Sequence, residues 1–175
     1  MKLFRKINKW FENQENLFYL FLAVLIVPNI VLCFTEPMPL VAKVCNVVLP
    51  FSIYYIVMSG SRNCGKTFWI LFPFLFFGAF QIVLLYLFGQ SIIAVDMFLN
   101  LVTTNSSEAL ELLDNLIPAI VIVVLLYIPA LFLAAVSVAK KRKLPEIFIH
   151  RERRRARIVM ILGVLSLGTA YLFDY

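Results

Sequence analysis

Histidine occurs once in this chain, at position 150, and the three cysteines, Cys33, Cys45 and Cys64, stand far apart. One imidazole and no closely spaced thiols make no zinc donor set, so neither a metal ligand nor a cofactor is assigned within these residues. The cysteines read as packing or loop residues. Charge is also scarce: 15% of the 175 residues are charged, against 62% hydrophobic. A soluble domain of this length cannot bury so much apolar surface, which leaves an integral membrane protein. The ten-residue alternations of a membrane β-barrel are missing. No small-residue cleavage site follows the basic start at 1–10, as a secretory signal peptide requires. The net charge of +6 does not imply nucleic acid, because the basic residues flank apolar runs and no soluble domain presents them.

What the chain does have is five apolar runs, at 17–34, 40–58, 68–88, 117–139 and 156–173, the last of them short. A helix crossing roughly 30 Å of hydrocarbon needs about 20 such residues. The expected fold is therefore an all-α integral membrane protein with five transmembrane helices. Lys2, Arg5, Lys6 and Lys9 precede the first run, Arg62 and Lys66 join the second to the third, and Lys140 through Arg157 join the fourth to the fifth. The opposite connections, 35–39 and 89–116, carry Glu36, Asp96, Glu108, Glu111 and Asp114 and no basic residue. Retention of Lys and Arg in the cytoplasm then puts the amino terminus inside and Tyr175 outside. The cationic segments at 140–143 and 151–155 would each draw anionic headgroups, at about 1 kcal/mol per residue.

Polar residues inside the runs are few. Lys43 sits near the outer end of the second run, where it either marks the membrane edge by snorkelling or faces a lipid phosphate or an outer acid. Asn29, Asn46 and Gln81 are expected to make interhelical hydrogen bonds. Pro28, Pro50, Pro73 and Pro129 should bend their helices. Without an internal repeat, a buried acid or a proton relay, transport is disfavoured. No small-xxx-small pair dominates any run, and a monomer is expected.

The stretch 89–116, between the third and fourth runs, is half polar and amphipathic, and is expected to lie as a helical segment along the outer membrane surface. Within it Asn100, Thr104 and Glu108 recur every four residues, which on a helix stacks them on one stripe able to touch a common ligand. Asn105 to Glu108 also fits a capping box, in which Glu108 bonds back to the cap. The two readings are compatible, since a helix starting there would point free amides at a phosphate.

Met97, Asn100, Thr104, Glu108, Ala109, Leu112 and Leu113 together carry a resemblance. Their residue types and spacing are similar to the outer-face motif of the lipid A phosphoethanolamine transferases, members of the sulfatase and alkaline-phosphatase superfamily. In that family five amino-terminal spans precede a large periplasmic domain. The resemblance implies an enzyme of the bacterial inner membrane that takes phosphoethanolamine from phosphatidylethanolamine onto a periplasmic threonine beside zinc and passes it to lipid A. The nucleophile and zinc ligands of the family follow the fifth span and are not among these 175 residues. What is expected here is a membrane domain, itself without catalytic residues, with Asn100, Thr104, Glu108 and Lys43 binding the lipid substrate. Glu108 would hold the ammonium, helped by Phe98 or Tyr86 through a cation–π contact of about 0.5–2 kcal/mol. Lys43 or the helix start would hold the phosphate. The alternative is a small membrane protein that binds lipid or scaffolds a partner without chemistry. A reading frame continuing past Tyr175 into several hundred soluble residues discriminates the two.

Overall fold

The computed structural model describes the backbone of residues 2–88 and 106–173, and the side chains of 5–83 and 117–173. Among the described residues there are seven helices and no strand. They are α1 (Lys2–Glu12), α2 (Gln14–Thr35), α3 (Leu40–Ser59), α4 (Cys64–Ile70), α5 (Phe72–Phe88), α6 (Ser106–Ala139) and α7 (Glu146–Leu172). Four of them, α2, α3, α6 and α7, contain stretches long and apolar enough to cross a membrane. A fifth span exists if α4 and α5, bent by 60°, count as one.

The third apolar run is thus broken, and proline chemistry explains where. Pro73 has no N–H to offer the Trp69 carbonyl, and its ring would collide with that carbonyl in a continuous helix. The chain stops at Ile70 and restarts at Phe72, with the Phe74 N–H turned to the Leu71 carbonyl at 3.0 Å. Pro28, Pro50 and Pro129, by contrast, are carried inside α2, α3 and α6.

Helix α1 is an addition to the expected spans. Its apolar residues recur at Leu3, Phe4, Ile7, Trp10 and Phe11, with Lys2, Arg5, Lys6 and Lys9 between them. That period suits a helix lying in the headgroup plane. Asn13 then caps α2 by accepting from the Glu15 N–H at 3.0 Å. From there α2 runs through the centre of the bundle, packing on α1, α3, α4, α5 and α6. It buries Leu17, Phe18, Phe21, Leu22 and Leu25.

Small residues set how closely the helices approach. The most extensive packing is between α3 and α7, where a Cβ on Gly163 would stand 2.8 Å from Ser52 Oγ and 3.3 Å from Leu49 Cα. A Cβ on Gly65 in α4 would stand 2.6 Å from the Ala134 carbonyl oxygen of α6. Outward-facing Phe76, Phe77, Leu125, Phe132, Ile161 and Leu165 are exposed, as suits side chains that meet lipid rather than water.

The connection between α6 and α7 differs from the long basic loop expected at 140–157. Helix α7 begins at Glu146, so five of those basic residues, Arg151, Arg153, Arg154, Arg155 and Arg157, are helical. Helix α6 ends in a Schellman turn: the Arg142 N–H reaches the Ser137 carbonyl at 3.1 Å and the Lys141 N–H reaches Val138 at 2.9 Å. Lys141 adopts φ 51° to close it.

Gly65→Ala is expected to destabilise the bundle by about 1–3 kcal/mol, because backbone must move to admit the methyl group. Gly168→Ala, which meets nothing within 4 Å, should leave the thermal unfolding midpoint in detergent unchanged. Equal midpoints for the two variants would refute the close-approach account of the α4–α6 contact.

Candidate functional site

The residues singled out by the sequence fall mostly beyond what can be described. Asn100 and Thr104, with Phe98, lie outside the described residues, as does the amphipathic stretch over 89–105. Helix α6 is described from Ser106 and runs through 106–116 into the apolar stretch, while Asn105, the cap expected from the sequence, lies outside the described residues. Glu108 and, in α5, Tyr86 therefore have a backbone position but no described side chain.

Lys43 is described. It lies in the first turn of α3 and is half-buried, and its carbonyl accepts from Cys33 Sγ at 3.4 Å. Next to it along the helix, Asn46 binds α2 twice: it accepts from Asn29 Nδ2 at 3.2 Å and donates to the Asn29 carbonyl at 3.0 Å. These are the interhelical hydrogen bonds expected of the two asparagines. They tie the helices together one turn from Lys43, with Cys33 taking a further contact from Asn46 at 3.4 Å.

The densest polar construction is at the other end of the bundle, and it contains the buried acid that the sequence reading excluded. Glu152 is 0% exposed. Its carboxylate accepts from the Tyr55 hydroxyl of α3, from Arg151 Nε at 3.0 Å and from Arg155 Nη1 at 3.0 Å. The Tyr19 phenol of α2 faces the same carboxylate, and both tyrosines belong to an aromatic wall with Phe18 and Phe148. A buried carboxylate survives only when paired and hydrogen-bonded, and here three helices supply the partners. The missed signal was periodicity: Phe148, Glu152, Ala156 and Gly163 share one buried stripe on α7.

Further contacts gather the cationic segments at this end. Arg62 Nε donates to the Leu144 carbonyl at 3.0 Å, the Leu144 N–H returns to the Arg62 carbonyl at 2.8 Å, and Arg62 pairs with Glu146. Arg142 Nη1 donates to the Glu12 carbonyl at 3.3 Å. Arg153 closes the carboxyl end of α3, with Nε on the Ser59 carbonyl and Nη2 on the Gly60 carbonyl, both at 2.9 Å. Deeper in, Gln14 Oε1 accepts from Ser137 Oγ at 2.5 Å and from Cys64 Sγ at 3.6 Å, while its Nε2 has no hydrogen-bond partner. Arg62, Arg142, Arg153 and the arginines around Glu152 thus gather at one end of the bundle.

Among the described residues no group of His, Cys, Asp and Glu comes together as a metal site. The zinc that the resemblance implies finds no donor set among them. Comparison with known protein families, with characterised proteins and with solved structures gives no match.

Removing the buried carboxylate leaves two arginines and two tyrosines without the group they share. Glu152→Ala is expected to cost about 3 kcal/mol, the low end for a broken buried pair because both arginines are half exposed. Tyr55→Phe, which removes one neutral donor, should cost about 1 kcal/mol. Denaturant titration in micelles, followed by circular dichroism, measures both. A Glu152→Ala variant no less stable than Tyr55→Phe would show that the carboxylate does not anchor α7.

Proposed function

We propose that these residues form the lipid-binding membrane domain of a phosphoethanolamine transferase of the bacterial inner membrane, which moves phosphoethanolamine from phosphatidylethanolamine to lipid A. The observation that carries the reading is the spacing of Met97, Asn100, Thr104, Glu108 and Ala109 between the third and fourth apolar runs of the sequence. The gathering of Arg62, Lys140–Lys143 and the α7 arginines at one end supports an orientation with that end in the cytoplasm and the motif outside.

The chemistry of the donor lipid suits the motif. Phosphatidylethanolamine carries an ammonium and a phosphate in one headgroup. Glu108 supplies the carboxylate for the first, while Asn100, Thr104 and the amides at the start of α6 supply donors for the second. Lys43 is half-buried in the first turn of α3, and a lysine stem is long enough to carry its ammonium to the headgroup level from there. These groups bind and orient; the transfer itself belongs to a catalytic domain carrying the threonine and zinc ligands.

In the full transferase, Glu108→Ala and Asn100→Ala should each reduce phosphoethanolamine-modified lipid A at least about tenfold, the loss expected for a charge-assisted contact. Mass spectrometry of extracted lipid A reads the yield. Unchanged yield in both variants would leave the bundle as an anchor only. Independently, alkaline phosphatase fused behind residue 175 should be active, and a silent enzyme there would reverse the orientation.

A further inference from the structure

Beside the Glu152 cluster, α3 and α7 leave an open groove of about 450 Å³, lined by Ile56, Ser59, Gly60, His150, Arg153 and Arg157. No acid lines it. The arginines around it divide by what they already hold. Arg151 and Arg155 are committed to Glu152. Arg153 spends Nε and Nη2 on the last carbonyls of α3, which cancels the partial negative charge that a helix end would otherwise present to the groove. Among the described residues Arg157 makes only a long contact, Nε to the Arg153 carbonyl at 3.4 Å, and it lines the groove without an acid beside it. His150 adds an imidazole one turn before Arg153 on the same stripe.

We infer that this groove binds a phosphate group, and that the phosphate belongs to an anionic phospholipid of the leaflet at the cationic end. Arg157 and the free edge of Arg153 form the charged contact, with Ser59 and His150 as further hydrogen-bonding groups. The surroundings favour a lipid over a soluble anion. The stripe of His150, Arg153 and Arg157 continues along α7 to Ile161 and Val164, and on α3 the residues beyond Ile56 are Ile53 and Leu49. Ile161, Val164 and Ile53 are exposed on the outside of the bundle, so an acyl chain hanging from the headgroup would run down an apolar track. The inference does not depend on the transferase reading, which concerns the opposite end.

The test compares variants that lose one equal charge. Purified protein is equilibrated in micelles with phosphatidylglycerol or phosphatidylcholine, and retained lipid is counted by native mass spectrometry. The expected result is preferential retention of phosphatidylglycerol, reduced about tenfold by Arg157→Gln, a loss in the range for one charge-assisted hydrogen bond. Arg154→Gln, on the exposed face away from the groove, should change retention by no more than the roughly fivefold of a general surface charge. Equal losses in the two variants, or none in either, would overturn the site. A parallel titration with inorganic phosphate and glycerol phosphate settles the source. Displacement of the lipid by millimolar soluble phosphate would overturn the lipid assignment, and retention supports it.

Discussion

A carboxylate removed from water at the end of a membrane bundle is the constraint around which the described part of this protein is arranged. Isolated, Glu152 would cost several kcal/mol to bury. It is buried because Tyr55 reaches it from α3, Tyr19 faces it from α2, and Arg151 and Arg155 flank it on its own helix. Those partners fix the rotation of α7. Rotation in turn fixes which residues meet α3 further along: eleven positions on, the residue facing Ser52 and Leu49 is Gly163, the one side chain that permits the contact. A rotation that exposed Glu152 would turn Gly163 away and put a larger residue against the α3 backbone. The electrostatic and steric specifications therefore agree, which is what makes one packing of α7 preferred over its rotated alternatives.

The arginines gain from the same arrangement. Five of them crowd into residues 151–157 with one acid, a sequence that on an isolated helix would repel itself. In the bundle two are neutralised by Glu152 and one by the α3 carbonyls. Charge that reads as a topology signal in the sequence is thus also structural. Arg62 does comparable work where the α3–α4 turn meets the α6–α7 loop, joining Leu144 and Glu146 to the preceding turn.

Which parts of this were legible depends on the range of the interaction. Apolar runs are local and long, so the positions of α2, α3 and the apolar part of α6 could be read directly. The Asn29–Asn46 pair followed from the general rule that amides inside spans seek one another. Glu152 was hidden because its partners Tyr55 and Tyr19 are 97 and 133 residues away and because neighbouring arginines made it look solvated. Its stripe with Phe148 and Ala156 was present in the sequence, but charge outweighed periodicity in the reading. The amphipathic period of α1 was equally visible, yet the search for spans passes over a helix too short to cross. At the third run the proline was noticed and the full break was not, since whether a proline bends or interrupts a helix depends on what packs against it.

Packing among the described residues is uneven along the bundle. The buried polar groups Gln14, Ser52, Ser59, Thr67, Ser137 and Glu152 all lie toward the cationic end. In α3 every buried residue, Ser52, Tyr55, Met58 and Ser59, falls in the half nearest that end. Its other half, with Lys43 and Asn46, is only half-buried and held to α2 by the asparagine pair. On the proposed transferase reading, in which a headgroup is received at the end of α3 that carries Lys43, this division would leave that end open to lipid arriving sideways through the bilayer. Here the register is held by hydrogen bonds and ion pairs at the charged end, where water and headgroups lower the cost of unpaired groups. Among the described residues, the half of α3 remote from the charged end keeps the asparagine pair as its polar tie to α2.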